Sequence, residues 1–297
     1  MAGQFTVEKV GASGGEAWLV LGERSAVLAD SGFPFYGEFL AKEINERLNG
    51  RPLTDVLITH SHYDHAGGFA KIKTVFPDAI VTAAAHAQQI FRRTNALHAM
   101  RTLNRTAAAM QGAAYAASDE DVGGYEVDRI SQDGDQIITE DFHIEVWETP
   151  GHTNDSLSFW FPREKLMVLS ESTGIFLRNT DTGMYVEPAF IVSWKAALKA
   201  LRRIGKVSPQ TLIVPHAGVL AGDGVSEFLR REAEEILFAK GLLFRLTAEG
   251  KTEDDILDAF KTRYYDSRPG ILTDCQPVQA FMINYKAMIP YILKEGP

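Results

Sequence analysis

Among 297 residues there is one cysteine, Cys275. An intramolecular disulfide is therefore excluded, and a reducing, cytoplasmic setting is expected. Cys275 itself is expected to be a small buried hydrophobe rather than a catalytic thiol. No apolar run approaches the ~18 residues of a membrane span, so no membrane partner is expected. The stretch Met1–Lys9 lacks the basic start and apolar core of a secretory leader, and none is expected. Positive charge is also in deficit, with Lys+Arg 30 against Asp+Glu 39 and a net charge of −9. That balance argues against a role dominated by nucleic-acid phosphates, although a local basic patch stays open. Internal repeats and low-complexity segments are missing as well. What remains is ordinary for a globular protein, 45% hydrophobic and 23% charged. The length suits one large domain or two small ones.

Against this background, His60-Ser61-His62-Tyr63-Asp64-His65-Ala66-Gly67-Gly68 concentrates three imidazoles and one carboxylate in six positions. It follows Asp55-Val56-Leu57-Ile58-Thr59, an apolar run that reads as a buried strand. Side chains launched from a strand end are held by a rigid element and still reach substrate. A single histidine in such a place is usually an ordinary hydrogen-bonded residue. Four ligand-type residues, buried without a metal, would leave several polar groups seeking partners. Imidazole suits Zn, Fe and Ni, and a carboxylate widens the choice towards Mn.

The rest of the chain reads as strands and helices in an order that repeats this setting. Phe5–Val10, Ala17–Leu21 and Ala26–Ala29 form a strand meander punctuated by glycines and ending in Asp30-Ser31-Gly32. Phe39–Leu48 has helical apolar spacing, Ala66–Phe76 reads as the next helix and Ala79–Thr82 as another strand. Residues 83–110, rich in Ala, Arg, Gln and Met, predict one or two helices. His143–Glu148 alternates as a half-buried strand does. Leu166–Leu169 and Thr211–Val214 are further strands, and Trp194–Ile204 is an amphipathic helix. From Ser226 on, helices are expected to the end, with breaks near Gly250 and residues 267–270. Pro150-Gly151-His152-Thr153, Ser170-Glu171-Ser172 and Pro215-His216-Ala217-Gly218 each follow one of these strands. His152, Glu171 and His216 thus share the setting of the first cluster. His86, His98 and His143 do not, and for these a structural or surface role is expected.

With these residues in view, the sequence resembles the metallo-β-lactamase superfamily. The HxHxDH motif at His60–His65, Gly151-His152, the acidic residue after a strand at Glu171 and the late His216 match in order and spacing, over roughly Phe5 to Gly222. The resemblance implies an α/β (α+β) fold, the αββα sandwich, with a helical insertion at about 83–112. Residues 1–222 would form that domain and 223–297 a helical C-terminal extension packed on it. It also implies two divalent transition-metal ions, Zn, Fe or Mn. One would take His60, His62 and His152, the other Asp64, His65 and His216. Glu171 stands where the family usually has a bridging Asp and is one methylene longer. It would bridge shifted metals, bind one metal only, or leave the second site incomplete. Asp30 matches a family acidic position that orients a ligand histidine; a plain strand-end turn Asp is the alternative.

A binuclear centre of this kind implies a hydrolase that attacks with a metal-bound hydroxide. Asp64 would be catalytic in orienting that water or shuttling its proton. Ser172 and Tyr185 could line the pocket or be ordinary loop residues. The helical insertion, the helical tail and the short echo Leu103-Asn104-Arg105 are similar in layout to the quinolone-signal (2-aminobenzoylacetyl-CoA) thioesterase branch. This tilts the expectation towards acyl or thioester hydrolysis, within a leading reading of a metal-dependent hydrolase of a small ester, thioester or lactone. Arg93, Arg101 and Arg105, with Arg92 beside them, would form a stripe able to hold a carboxylate or an acyl carrier's phosphates; a solvated helix face is the plainer alternative. Three other functions compete: a small-molecule phosphodiesterase, a metal-binding regulatory protein with little hydrolysis, and an oxygen-using diiron enzyme. A homo-oligomer is left open by the sequence.

Overall fold

The computed structural model describes residues 5–112, 116–180, 183–266 and 278–297. Cys275 and the break expected near residues 267–270 lie outside them. The chain divides into two compact units, Met1–Glu148 with Leu157–Val168, and Thr149–Ser156 with Leu169–Pro297.

In the first unit the expected meander is present as β1 (Thr6–Ala12), β2 (Gly15–Leu21) and β3 (Ala26–Ala29), paired antiparallel. After α1 (Gly37–Leu48), the strand before the histidine cluster is β4 (Leu53–Leu57), parallel to β3. α2 (Tyr63–Ala66) and α3 (Phe69–Val75) follow, then β5 (Ile80–Ala84), α4 (Ala85–Phe91), α5 (Thr94–Gln111) and β6 (Arg129–Ser131). The sheet order is β1-β2-β3-β4-β5-β6. β2 is buried at every position, and so are Val56, Leu57 and Ile58, because helices cover this sheet. The core joins Leu19, Leu28, Val56 and Val81 to Leu40, Ile44, Phe69, Phe91 and Met100 of the helices. β7 (Gln136–Ile138), β8 (His143–Glu148), β9 (Leu157–Phe161) and β10 (Leu166–Val168) pair antiparallel in a second sheet.

The helix read over Ala66–Phe76 is α3, which starts only at Phe69, after Gly67-Gly68 separate it from the short α2. A Cβ on Gly67 would lie 2.2 Å from Pro34 Cδ, and one on Gly68 2.2 Å from Ser31 O. The chain approaches the end of β3 too closely for any side chain here, and periodicity cannot show that.

The second unit opens with the turn 149–156 and a 3₁₀ turn at Glu171–Thr173. The hairpin of β11 (Ile175–Thr180) and β12 (Gly183–Glu187) follows, one the sequence did not predict. α6 (Trp194–Lys206), the hairpin β13 (Thr211–Val214) and β14 (Gly218–Ala221), α7 (Asp223–Ala248), α8 (Glu253–Lys261) and α9 (Val278–Glu295) complete it. α6 to α9 share an apolar core built on Leu198, Leu201, Ile236, Leu243, Phe260, Tyr264, Tyr285 and Ile292. The mixed α/β architecture with two sheets and a helical C-terminal region is the class expected. No helix among the described residues is long and apolar enough to cross a membrane.

Candidate metal centre

β3 and β4 run parallel and side by side, so the residues after both emerge at the same edge of the sheet. Asp30 follows β3 with φ +59, and its N–H donates to Leu57 O (2.9 Å). This left-handed turn, which Asp tolerates better than most residues, points its carboxylate across the strand ends. Asp30 Oδ1 accepts from Thr59 N (2.8 Å) and Oδ2 from Thr59 Oγ1 (2.9 Å). His65 Nδ1 stands 2.8 Å from the same Oδ2. His60 Nδ1 lies 3.1 Å from Thr59 Oγ1. Since the Thr59 hydroxyl has already given its proton to Asp30, it accepts from His60 Nδ1–H. Both imidazoles are thereby held in the tautomer that leaves Nε2 without a proton.

His62 closes the loop as the residue before α2, and the single turn of α2 carries Asp64 and His65. The His60 ring centroid is 4.7 Å from that of His62 and 4.2 Å from that of His65. His60 and His65 are buried, Asp64 is 9% exposed and His62 half-buried. Three imidazoles and a carboxylate are packed tightly, with two ring orientations set from behind.

The second unit brings His152, Glu171 and His216 together. Thr149 N donates to Ser156 O (2.9 Å), His152 N to Ser172 Oγ (2.9 Å), and Leu169 N to Ile213 O (3.0 Å). The last bond sets the Ser170-Glu171 turn beside β13, whose following residue pair ends in His216 at φ +58. Glu171 Oε2 is 2.6 Å from His152 Nε2 and Oε1 is 2.8 Å from His216 Nε2. All three side chains are buried. Burial pushes the Glu171 carboxyl up, but the charge and hydrogen bonds of His152 and His216 outweigh it and hold the group well below the usual carboxylate range. His152 Nδ1 donates to Ala189 O at 2.5 Å, so its Nε2 is the nitrogen aimed at Glu171.

The donor set fits a divalent transition metal on its chemistry. In His60, His65 and His152 the Nδ1 atom is occupied by protein, which makes Nε2 the ligand atom, the arrangement metal-binding histidines adopt. Among the described residues, the His, Cys, Asp and Glu groups able to hold a metal are drawn only from His60, His62, Asp64, His65, His152, Glu171 and His216.

The other residues singled out by sequence are elsewhere. His98 is exposed on α5, His86 half-buried on α4, and His143 Nε2 meets Gln136 Oε1 on the surface (2.9 Å). Two arginines of the expected stripe meet groups of the protein, and a third lies off the helix face. Arg101 donates to the carbonyls of Asp119 and Val122 (both 3.1 Å), Arg105 pairs with Asp119, and Arg93 precedes α5 rather than lying on its face. Asn104 of the Leu103-Asn104-Arg105 echo is buried and accepts from Phe35 N (3.0 Å). Ser172 serves the turn by accepting from His152 N. Sequence reasoning missed Thr59 and the Ala189 carbonyl. Thr59 read only as the last residue of a strand, and a backbone carbonyl carries no sequence signal.

A family profile described as the metallo-beta-lactamase superfamily matches residues 10–216. Among curated proteins, the hydroxyacylglutathione hydrolase of Methylobacterium sp. (strain 4-46) is 28% identical over 152 residues, which are 51% of this chain and 45% of that protein. The protein of the same name from Rhodopseudomonas palustris (strain ATCC BAA-98 / CGA009) is 29% identical over 150 residues, 50% of this chain and 44% of that one. The match thus spans about half of this chain and less than half the length of these curated relatives. Among solved structures, a metallo-beta-lactamase family protein of Thermus thermophilus is similar with a TM-score of 0.65 and 16% identity, covering 98% of this chain and 94% of that one. An archaeal superfamily protein of Sulfolobus tokodaii gives 0.58 and 14%, covering 97% and 98%.

Proposed function

Since the chain belongs to the metallo-β-lactamase superfamily, we propose that it is a metal-dependent hydrolase of a small ester or thioester, with two divalent transition-metal ions as cofactors. His60, His62, Asp64, His65, His152, Glu171 and His216 would hold them, with Asp30 behind His65. One observation carries the proposal: three buried imidazoles have Nδ1 engaged by Thr59, Asp30 and Ala189, which makes Nε2 the ligand position in each.

Bound there, such ions would polarise the scissile carbonyl and lower the pKa of water from about 15.7 to about 7. The residues themselves do the positioning. Asp30 and Thr59 hold His60 and His65 in one tautomer and orientation. Glu171 presents one oxygen towards each of His152 and His216. Asp64, on the single turn of α2 and 9% exposed, would take the proton of an attacking water. Thioesters are favoured within the ester class because the curated relatives are named for a thioester hydrolysis, at low identity.

Elemental analysis should find one to two transition-metal ions per chain, and an acyl-thioester and lactone panel should show turnover that a chelator removes. His62→Ala and His152→Ala should each lose that turnover. A metal-free wild type, or turnover surviving both substitutions, would sink the proposal. Turnover of bis-p-nitrophenyl phosphate alone would move the chain to the phosphodiesterases.

A further inference from the structure

We infer that α9 is a positioning element for His152, acting through the segment 187–193 that it grips at both ends. The inference rests on His152 being a metal ligand, as proposed above.

His152 is held from one short stretch of chain. Ala189 O accepts its Nδ1–H. The carbonyl of the preceding Gly151 accepts from three successive amides, Ile191 (2.9 Å), Val192 (2.8 Å) and Ser193 (3.2 Å). Three donors on one carbonyl fix the peptide between Gly151 and His152 at the N-terminal end of α6, where the helix dipole favours the carbonyl's negative end. Any shift of residues 189–193 therefore moves both the backbone and the ring of His152.

That stretch is paired at its start, through Glu187 of β12, with Ile175 of β11, and at both ends it also meets α9. At its start, Tyr285 Oη donates to Glu187 Oε1, both groups being buried. At its end, Glu295 accepts from Ser193 Oγ and from Trp194 N (3.0 Å), where a carboxylate suits the start of a helix. Trp194 Nε1 donates to Gly296 O (3.1 Å) and Lys195 Nζ to Glu295 O (3.2 Å). Tyr285 and Glu295 are ten residues apart, about 15 Å along a helix. Between the grips, Phe190 packs into the apolar core with Met288, Ile289 and Ile292 of α9. The C-terminal helix thus holds a strap whose middle holds His152.

The test compares Glu295→Ala, Glu295→Gln and Tyr285→Phe with Ile292→Val. The last removes a methylene from a fully buried residue of the same helix and leaves both grips intact. Two quantities are measured besides the melting temperature. One is zinc affinity by competition with a chelator. The other is the His152 Nδ1–H proton resonance of the metal-free protein, assigned by its loss in His152→Ala. Hydrogen-bond partners behind a ligand histidine typically change metal affinity about 10–100-fold. Glu295→Ala and Tyr285→Phe should weaken zinc at least 10-fold and broaden or lose the resonance, with Glu295→Gln between them and wild type. Ile292→Val should keep both even where its melting temperature falls as far. The inference is overturned if Glu295→Ala leaves affinity and resonance unchanged, or if Ile292→Val alters them equally. A wild type that binds none of zinc, iron or manganese yet shows the resonance, and loses it in Glu295→Ala, would refute the metal function and leave the strap standing.

Discussion

At the scale of single residues, Thr59 links His60 to the Asp30 carboxylate that also holds His65. It receives the His60 proton and gives its own to Asp30, which also takes His65. Thr59→Val keeps the shape and removes the hydroxyl. A buried Nδ1–H then lacks its acceptor, a loss of about 1–3 kcal/mol. We expect urea unfolding to register that loss and zinc affinity to fall by roughly 10-fold. Thr59→Ser should restore most of both, and a serine variant no better than valine would contradict the relay. Local sequence showed where the ligand-type residues stand. Each of His60, His152, Glu171 and His216 does come just after a strand, β4, β8, β10 and β13 respectively. It did not show tautomers, because the bonds that set them reach 35 residues from Asp30 to His65 and 37 from His152 to Ala189.

At the scale of elements, the turn before His152 is fitted against α6. Gly151 has φ +154, and a Cβ there would lie 2.8 Å from Ala197 Cβ. Gly151→Ala therefore combines backbone strain, about 1–3 kcal/mol, with a clash against a helix. Calorimetry should show a lowered melting temperature and zinc titration a weakened site. Gly151→Ala with Ala197→Gly should recover only the part due to the Cβ contact, because Ala197 Cα and N, both 3.0 Å from the new Cβ, stay in place. Full recovery would contradict the strain and the backbone contact, and no recovery would contradict the Cβ contact. Helices with long amphipathic runs, such as α1, α6 and α7, were legible because their spacing is a local property. The hairpin β11–β12 was not, and neither was the close approach of Gly67 and Gly68 to Pro34 and Ser31, which reaches across space.

At the scale of the molecule, stability carries the signature of one carboxyl. Glu232 on α7 is fully buried, with its carboxyl against Gly174. Burial, followed by the charges of Glu235 and Glu187, pushes it well above the usual carboxylate value of 4.5. Below that value Glu232 is protonated in both folded and unfolded chains. Above it the unfolded chain ionises while the folded one keeps its proton. The folded state then binds more protons, so this group's contribution to stability falls as pH rises, by up to about 1.4 kcal/mol per unit. Glu232→Gln removes that penalty. Denaturant unfolding of metal-free protein at pH 4.5, 6 and 8 should show the variant gaining on wild type as pH rises. A difference independent of pH would refute it.

The sequence by itself determined the fold class, through its resemblance to the metallo-β-lactamase superfamily, which the strand meander and alternating strands fit, and the ligand-type residues, through a dense motif whose chemistry few other functions share. Only the tertiary structure decided which nitrogen His60, His65 and His152 offer, that Glu171 is shared between His152 and His216, and that Arg101 and Arg105 meet the segment 119–122. The reason is physical. Secondary structure is written in neighbours a few residues apart, whereas ring orientation, carboxylate sharing and the use of a charge depend on hydrogen bonds between groups that meet only once the chain has folded.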